Sequence, residues 1–405
     1  MLDDFGQRIR DIILSEMDLS RELSDEEICD LIGSVVSREA RDRPMTIKDR
    51  AELERTIFNS LRKLDVLQEL VDDRDVTEIM VNGPNDIFYE KAGRIQRLKG
   101  HFSSEEKLED VIQQIVGRHN RVVNQASPIV DTRLSDGSRV NIVLNPISIG
   151  GSAVSIRKFP EHPMSMERLV EIEALSPEVA RLLQILTQAK YNIFISGGTG
   201  SGKTTFLNAL SQYIPDDERI ITIEDSAELQ LLGAKNIVRL ETRNANTDGV
   251  TPITIRDLIR TALRMRPDRI IVGECRGAEA LDMLQAMNTG HDGSLSTGHA
   301  NSPHDIISRI ETMVLQGQDF PLNAIRQQIA SGIDIIVQLG RLRDKSRRVL
   351  EISEVDGFMD GEIVLHTLYR FEETAVLDSG RIQGFLKKEG TLCHTDKLMA
   401  AGLSV

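Results

Sequence analysis

The first part of the chain carries apolar residues at helical spacing. Ile9 and Ile13, for example, fall one above the other on the same face of a helix. Ser24 followed by Glu27 is typical of a capping box, in which both side chains bond to backbone N–H groups at the start of a helix. We therefore predict a small helical domain over residues 1–66. Whether it docks a partner or only stabilises its neighbour stays open.

The next segment mixes short strands with a helix. Residues 76–81 and 87–90 are rich in β-branched and aromatic residues and are bounded by turn residues, which indicates strands. A helical pattern follows Ser103. These features predict an α+β domain over residues 67–159. Prolines within residues 159–163 break regular structure and indicate a hinge into the next domain.

From residue 160 onward, strands alternate with helices. The predicted strands are 193–196, 220–223, 270–272, 333–339, 348–355 and 362–370, and the predicted helices begin at 203, 254 and 278. Such alternation is typical of an α/β domain, in which helices cover a parallel sheet. We assign this domain to residues 160–379. Residues 380–405 carry little signal and are treated as a C-terminal tail.

Composition narrows the choice of partners. The chain has 405 residues, 40% of them hydrophobic, and a formal net charge of −14 at pH 7. This acidic balance argues against general binding to a phosphate backbone, and the absence of Trp argues against base stacking, so we expect no nucleic-acid partner. A basic-then-apolar leader and a run of membrane-spanning length are both missing from the sequence. We therefore expect a soluble, cytoplasmic protein.

The most specific motif is a glycine-rich turn between a predicted strand and a predicted helix. It consists of Gly197, Gly198, Thr199, Gly200, Ser201, Gly202, Lys203, Thr204 and Thr205, and it fits the pattern G-x-x-x-x-G-K-[ST]. Its backbone N–H groups and the helix N-terminus behind them favour an anion. We predict that this phosphate loop binds ATP, that Lys203 neutralises the β- and γ-phosphates, and that Thr204 is a ligand of Mg²⁺.

Carboxylates end two of the predicted apolar strands, at the place where a nucleotide-binding site needs acidic groups. Glu224 follows one strand, and Glu274 follows another after Gly273. We predict that Glu274 positions or deprotonates the attacking water and contributes to the metal site, and that Glu224 assists. Asp225 and Glu228 complete the acidic cluster. Because many motor ATPases have Asp in place of Gly273, we expect metal contacts from this strand to pass through water.

His291 and His299 lie in a segment of small polar residues, 288–301. Neither has Cys or carboxylate neighbours at zinc-like spacing, so we do not expect a metal there. We predict instead a switch loop, in which a histidine bonds the γ-phosphate and senses its loss. His299 suits this role better than His291.

Three arginines suit the role of an arginine finger, a guanidinium that stabilises the transferring phosphoryl group and speeds hydrolysis by roughly 10³–10⁵-fold. Arg133 and Arg139 flank the turn at 134–137, and Arg157 lies just before the predicted hinge. Such fingers can come from another domain or subunit. Which of the three is the finger stays open.

Together these motifs resemble the secretion and pilus-assembly ATPase superfamily, the type II/IV secretion ATPases, and in particular its CpaF-like branch linked to tight-adherence pili. The resemblance is carried by the phosphate loop, the acidic box 223–229, the stretch 263–274, the histidine box 288–301, and the segments 136–141 and 155–159. It implies a RecA-like catalytic domain, a separate N-terminal α/β domain, a homo-hexameric ring, and ATP sites closed between the two domains.

The resemblance also implies roles for single residues and for the whole protein. Lys203 and Thr204 bind phosphate and Mg²⁺, Glu274 is the catalytic carboxylate, and His299 lines the site. The protein is then a motor at the cytoplasmic face of the inner membrane, with ATP and Mg²⁺ as its cofactors. It drives pilus assembly or protein secretion through an integral platform protein.

Two other functions share part of this pattern. A RecA-like nucleic-acid translocase has the same fold, but the acidic balance and the scarcity of aromatic residues oppose it. An ATP-binding scaffold that changes shape without turnover is the second alternative. The presence of both Lys203 and Glu274 opposes that alternative, because a scaffold needs no group that acts on water.

Overall fold

A computed structural model of the chain describes residues 4–18, 20–21, 23–41, 43, 45–91, 93–118, 122–159, 163–231, 233–243 and 251–405. Residues 160–162 of the predicted hinge therefore lie outside the described residues. The chain forms two compact units, Met1–Glu161 and His162–Val405. In the part of the chain that is described, no helix is both long enough and apolar enough to cross a membrane.

The first unit begins with amphipathic helices. Its helices are α1 (Asp4–Glu16), α2 (Asp25–Glu39), α3 (Ile47–Arg62), α4 (Gln68–Asp72) and α5 (Glu105–Gly117). Ile9 and Ile13 of α1 are fully buried and share a core with apolar residues of α2 and α3. The capping box is confirmed, because Glu27 N–H donates to Ser24 Oγ and Ser24 N–H donates to a Glu27 carboxylate oxygen. These two bonds fix the start of α2.

An antiparallel sheet completes the first unit. Its strands are β1 (Val76–Asn82), β2 (Ile87–Lys91), β3 (Arg94–Arg97), β4 (Ile129–Arg133), β5 (Arg139–Val143) and β6 (Ala153–Arg157). In the described residues they follow the order β3-β2-β1-β6-β5-β4. Leu108 and Ile112 of α5 share one core with Val81 and Ile156 of the sheet. The order places β4, β5 and β6 side by side, and this matters for the arginines discussed below.

The second unit alternates strands and helices. Its strands are β7 (Ile193–Gly197), β8 (Arg219–Glu224), β9 (Asn236–Glu241), β10 (Arg269–Val272), β11 (Leu295–Gly298), β12 (Ile335–Arg341), β13 (Arg347–Met359), β14 (Glu362–Val376) and β15 (Ile382–Lys388). Its helices are α6 (Met166–Glu171), α7 (Pro177–Gln188), α8 (Lys203–Ser211), α9 (Ile255–Ala262), α10 (Glu279–Asn288), α11 (Pro303–Gly317), α12 (Leu322–Gly332) and α13 (Asp396–Ala401).

The predicted parallel sheet is confirmed. Over the described residues the strand order is β15-β14-β13-β12-β7-β11-β10-β8-β9. Strands β12, β7, β11, β10, β8 and β9 pair in parallel, whereas β13, β14 and β15 add an antiparallel extension at one side. Because β7, β8, β10 and β11 are parallel neighbours, the residues that follow them meet at one edge of the sheet.

The C-terminal residues pack near the amino-terminal ends of the parallel strands, away from the phosphate loop. Glu354, which is only 1% exposed, accepts backbone N–H bonds from Cys393 and His394 at 2.7 and 2.8 Å. Tyr191, two residues before β7, donates its hydroxyl to the carbonyl of His394 at 2.6 Å. Burial raises the pKa of Tyr191 to about 12. The tail is therefore tied to the start of the strand that leads into the phosphate loop.

Replacing Lys397 on α13 with alanine is expected to lower the free energy of unfolding of the second unit by about 2 kcal/mol. Lys397 Nζ lies 2.6 Å from Asp334 and 2.7 Å from Asp292. Burial raises the pKa of Asp334, so the loss of its cation leaves a poorly solvated carboxylate. Calorimetric unfolding measures the change, with Lys388→Ala on exposed β15 as the control. Equal unfolding temperatures for wild type and Lys397→Ala would contradict the expectation.

Candidate active site

The phosphate loop joins β7 to α8 at the carboxyl edge of the parallel sheet. β7 is buried along its whole length and ends at Gly197, and α8 begins at Lys203. Gly200 and Gly202 have φ values of +72° and +93°, a region that residues with a side chain rarely adopt. Gly202 is also the N-cap residue of α8, and because it has no side chain it cannot cap the N–H groups of the first turn. The first N–H groups of α8 are thus directed into the loop, as an anion site requires.

Lys203 begins a chain of polar contacts across the site. Its Nζ donates to the carbonyls of Gly197 and Gly198 at 3.1 and 3.2 Å, and to Nδ1 of His299 at 3.2 Å. Nε2 of His299 lies 2.7 Å from Oε1 of Glu274. Three residues that the sequence singled out on separate segments are therefore brought into contact.

The contacts define the protonation of His299. An ammonium group only donates hydrogen bonds, so Nδ1 accepts from Lys203 and the neutral ring carries its proton on Nε2, facing Glu274. Burial lowers the pKa of His299, and the nearby Lys203 charge lowers it further, so the ring is neutral at pH 7. Burial also lowers the pKa of Lys203. A neutral histidine thus connects the cation of the phosphate loop to the carboxylate.

Sequence reasoning gave no role to Arg276, which holds the other side of the carboxylate. Its Nη2 donates to Oε2 of Glu274 at 2.6 Å, and its Nη1 lies 3.9 Å from Asp225. The bond to Glu274 raises the pKa of Arg276. The signal available in the sequence was the position of Arg276, two residues after Glu274. Glu274 therefore has one oxygen facing His299 and the other bound to Arg276.

Glu224 ends β8 and is buried, with 3% exposure. Its Oε1 accepts N–H bonds from Glu228 and Leu229 at 2.7 and 2.9 Å, so this oxygen holds the turn that follows β8. A Cβ atom at Gly273 would lie 2.9 Å from Cγ of Glu224. Glycine is required before Glu274 because the Glu224 side chain of the adjacent strand fills the space that a side chain would need.

The predicted switch loop is wrong over residues 295–298. These residues form β11, a fully buried strand between β7 and β10. Buried parallel strands need not show an alternating pattern, which is why this short run of Leu, Ser, Thr and Gly was not recognised. His299 follows β11 directly and meets the phosphate loop. His291 precedes β11, at its opposite end, where its Nδ1 lies 3.2 Å from the carbonyl of Ala286.

The three candidate finger arginines lie in one row within the first unit. Arg133 pairs with Arg139 across β4 and β5, and Arg139 pairs with Arg157 across β5 and β6. Residues directly opposite each other on antiparallel strands share a face of the sheet. Glu78 of β1 continues the row, with its Oε1 4.0 Å from Nε of Arg157. The pairing therefore places three arginines and one glutamate side by side on one face of the sheet.

The oxygen donors near the loop fit a Mg²⁺ ion that arrives with a nucleotide. Mg²⁺ usually takes one or two protein oxygens and completes its shell with phosphates and water. The Thr204 hydroxyl in the first turn of α8 and the Glu274 carboxylate after β10 are donors of this kind. Among the residues that the structure describes, no group of three or more His, Cys, Asp or Glu could hold a metal ion by itself.

A phosphate loop on a buried parallel strand, with a histidine and a carboxylate following the adjacent strands, defines a P-loop nucleotide-binding domain. The family model of type II/IV secretion system proteins matches residues 60–382, and the chain belongs to this family. The resemblance to secretion and pilus-assembly ATPases is thereby confirmed, whereas the tight-adherence branch stays a prediction.

Three relatives are similar to this chain over most of their own length. A putative conjugal transfer protein of Mycobacterium tuberculosis is 33% identical over 322 residues, which cover 77% of this chain and 91% of the relative. The type IV secretion system protein PtlH of Bordetella pertussis is 33% identical over 320 residues, with 73% and 94% covered. The conjugal transfer protein TrbB of Rhizobium radiobacter is 31% identical over 332 residues, with 81% and 98% covered.

Two solved structures share the fold. The pilus retraction motor PilT with bound ADP has a TM-score of 0.54 at 24% identity, covering 76% of this chain and 82% of its own. The ATPase DotB of Legionella pneumophila has a TM-score of 0.53 at 22% identity, covering 71% and 79%. These likenesses confirm the predicted fold class, an α/β chain with a RecA-like domain.

Proposed function

We propose that this chain is a Mg²⁺-dependent ATPase motor. It hydrolyses ATP to ADP and phosphate, and interdomain motion powers the assembly of tight-adherence, type IV-like pili or protein secretion. The observation that carries the proposal is the contact chain from Lys203 through His299 to Glu274. Membership in the type II/IV secretion family supports it as well.

In this proposal the residues of the site have separate roles. Residues 197–205 cradle the phosphates, and Lys203 neutralises their charge. When a γ-phosphate accepts hydrogen bonds from the Lys203 ammonium, Nδ1 of His299 loses the donor it has in the absence of nucleotide. His299 therefore senses whether the phosphate is present. Glu274 positions or deprotonates the attacking water, and Glu224 assists by holding the turn after β8.

Thr204 and Glu274 are the residues that would hold Mg²⁺. When it is bound, the ion neutralises charge on the phosphates during phosphoryl transfer. The protein's own contribution is to fix the donors. Thr204 is fixed by the first turn of α8, and Glu274 is fixed by the bond from Arg276.

Steady-state phosphate release by the purified full chain tests the proposal. We expect turnover of ATP with Mg²⁺ and its loss when EDTA removes the metal. ATP binding without phosphate release would favour the scaffold alternative and overturn the enzyme assignment. Strong stimulation by single-stranded DNA or RNA would favour the nucleic-acid translocase instead.

The assembly and its partner are part of the same proposal. We propose a homo-hexamer that docks on an integral platform protein at the cytoplasmic face of the inner membrane, with no nucleic-acid partner. Light scattering of the purified chain with ATP measures the assembly. Pull-down of membrane proteins with the full chain, compared with a variant lacking residues 1–66, tests the partner and the role of the helical segment together.

Replacing the arginine finger with alanine is expected to lower turnover by about 10³-fold or more, while ATP affinity changes little, because a finger acts on the transition state. Phosphate release and equilibrium ATP binding are measured for Arg133→Ala, Arg139→Ala and Arg157→Ala. The matched control is Arg94→Ala, an exposed arginine on β3 of the same sheet. Wild-type turnover in all three variants would show that none of these three arginines is the finger.

A further inference from the structure

Arg347 contacts the phosphate loop from a hairpin to which no function has been assigned. β12 lies beside β7 in parallel, with Leu339 opposite Gly197. The chain turns over residues 342–346 and returns as β13, which begins at Arg347. Nε of Arg347 donates to the carbonyl of Gly200 at 2.9 Å. Strand pairing thus delivers a cationic side chain to the backbone of the loop.

The aliphatic part of Arg347 also covers the loop. A Cβ atom at Gly202 would lie 3.5 Å from Cδ of Arg347, which is ordinary van der Waals contact. Gly200 and Gly202 are the two loop residues with positive φ. The Arg347 side chain therefore lies beside both loop positions that have positive φ, bonded to Gly200 and close to Gly202 without crowding it.

The hairpin that carries Arg347 is held in place on both sides. Asp344 accepts the backbone N–H of Ile382 at 2.8 Å, and this bond lowers the pKa of Asp344 to about 2. Arg348, the next residue of β13, points to the opposite side, where it is buried and donates to the carbonyl of Glu173 at 2.6 Å. The backbone at Arg347 is therefore anchored before any ligand binds.

The Arg347 guanidinium has N–H donors besides the one that bonds to Gly200. In the described residues, no hydrogen bond or ion pair involves the Nη atoms of Arg347, and the side chain is exposed. A guanidinium has five N–H donors in a fixed fork that matches the oxygens of a phosphate group. With Nε bonded to the loop, the Nη atoms stand next to the backbone that is proposed to bind ATP.

We propose that Arg347 is a nucleotide-binding residue of this site. Its Nε holds the carbonyl of Gly200, and its Nη atoms bind phosphate oxygens of a nucleoside di- or triphosphate. This inference rests on the proposed function, because it assumes that the loop binds nucleotide. It adds an exposed cation to the buried Lys203, whose ammonium bonds to the carbonyls of Gly197 and Gly198.

Titration calorimetry of the full chain with MgADP and with inorganic pyrophosphate tests the inference. Arg347→Ala is expected to weaken both ligands by about tenfold, the size of one hydrogen bond to a charged group. Arg347→Lys keeps the charge but lacks the fork, so it is expected to restore little of the affinity. The matched control is Arg343→Ala, an exposed arginine of the same turn that pairs with Glu373.

The outcomes separate this inference from the proposed function. Unchanged affinity of Arg347→Ala for both ligands, in a wild type that binds them, would overturn the inference alone. Weakened ADP binding with unchanged pyrophosphate binding would also overturn it, because the contact would then be to the base or sugar. If wild type binds neither ligand, the proposed function fails and the inference falls with it.

Discussion

Replacing Lys203 with alanine is expected to lower ATP turnover by at least about 10²-fold and to weaken ATP binding. Lys203 supplies the buried cation of the phosphate loop, and nothing else donates to Nδ1 of His299 among the contacts of the described residues. Its loss therefore removes both the charge that neutralises the phosphates and the link to the histidine. Phosphate release and equilibrium binding of ATP measure the two effects.

The fold of Lys203→Ala is expected to survive. Burial lowers the pKa of Lys203, which means that the protein holds its charged form at a cost, so removing the charge does not weaken the core. Lys235→Ala, at an exposed lysine 2.7 Å from Asp216 in the same unit, is the matched control. Turnover near the wild-type value in Lys203→Ala would contradict a phosphate-neutralising role.

The parallel sheet could be predicted because its strands carry local signals. Strands such as β8 and β10 are short apolar runs bounded by charged residues, and helical spacing separates them. The antiparallel extension was predicted only in part. The second half of β14 is mostly exposed, and in β15 the apolar residues Ile382, Phe385 and Leu386 do not alternate strictly with polar residues, so neither segment has a clear strand period in its sequence.

Within the site, residues of one local motif could be predicted from the sequence, whereas contacts between distant segments could not. Lys203 and Thr204 belong to one motif, whose spacing is set by the loop itself. The contact between His299 and Glu274 depends on β10 and β11 being parallel neighbours, and sequence spacing cannot show this. Arg347 lies 147 positions from Gly200 and reaches it only because β12 pairs with β7.

Replacing Glu274 with glutamine is expected to leave ATP bound and to lower turnover by at least about 10²-fold. An amide cannot take a proton from water, and it is a weaker acceptor for positioning it. One carboxylate oxygen also accepts a hydrogen bond from Nη2 of Arg276, and the other lies 2.7 Å from Nε2 of His299. In the glutamine variant the amide oxygen takes only one of these two places, and the NH₂ group then faces the other N–H group. Phosphate release and ATP binding are measured on the same preparation.

Two further variants separate chemistry at Glu274 from its positioning. Arg276→Ala keeps the carboxylate and removes one donor, so its turnover is expected to fall less than that of Glu274→Gln. Glu224→Gln keeps an oxygen that can accept the N–H bonds of Glu228 and Leu229, so a small loss is expected. If Glu274→Gln turns over ATP at nearly the wild-type rate while Glu224→Gln is inactive, the roles of the two carboxylates are reversed, because the residue that acts on water cannot be replaced by its amide.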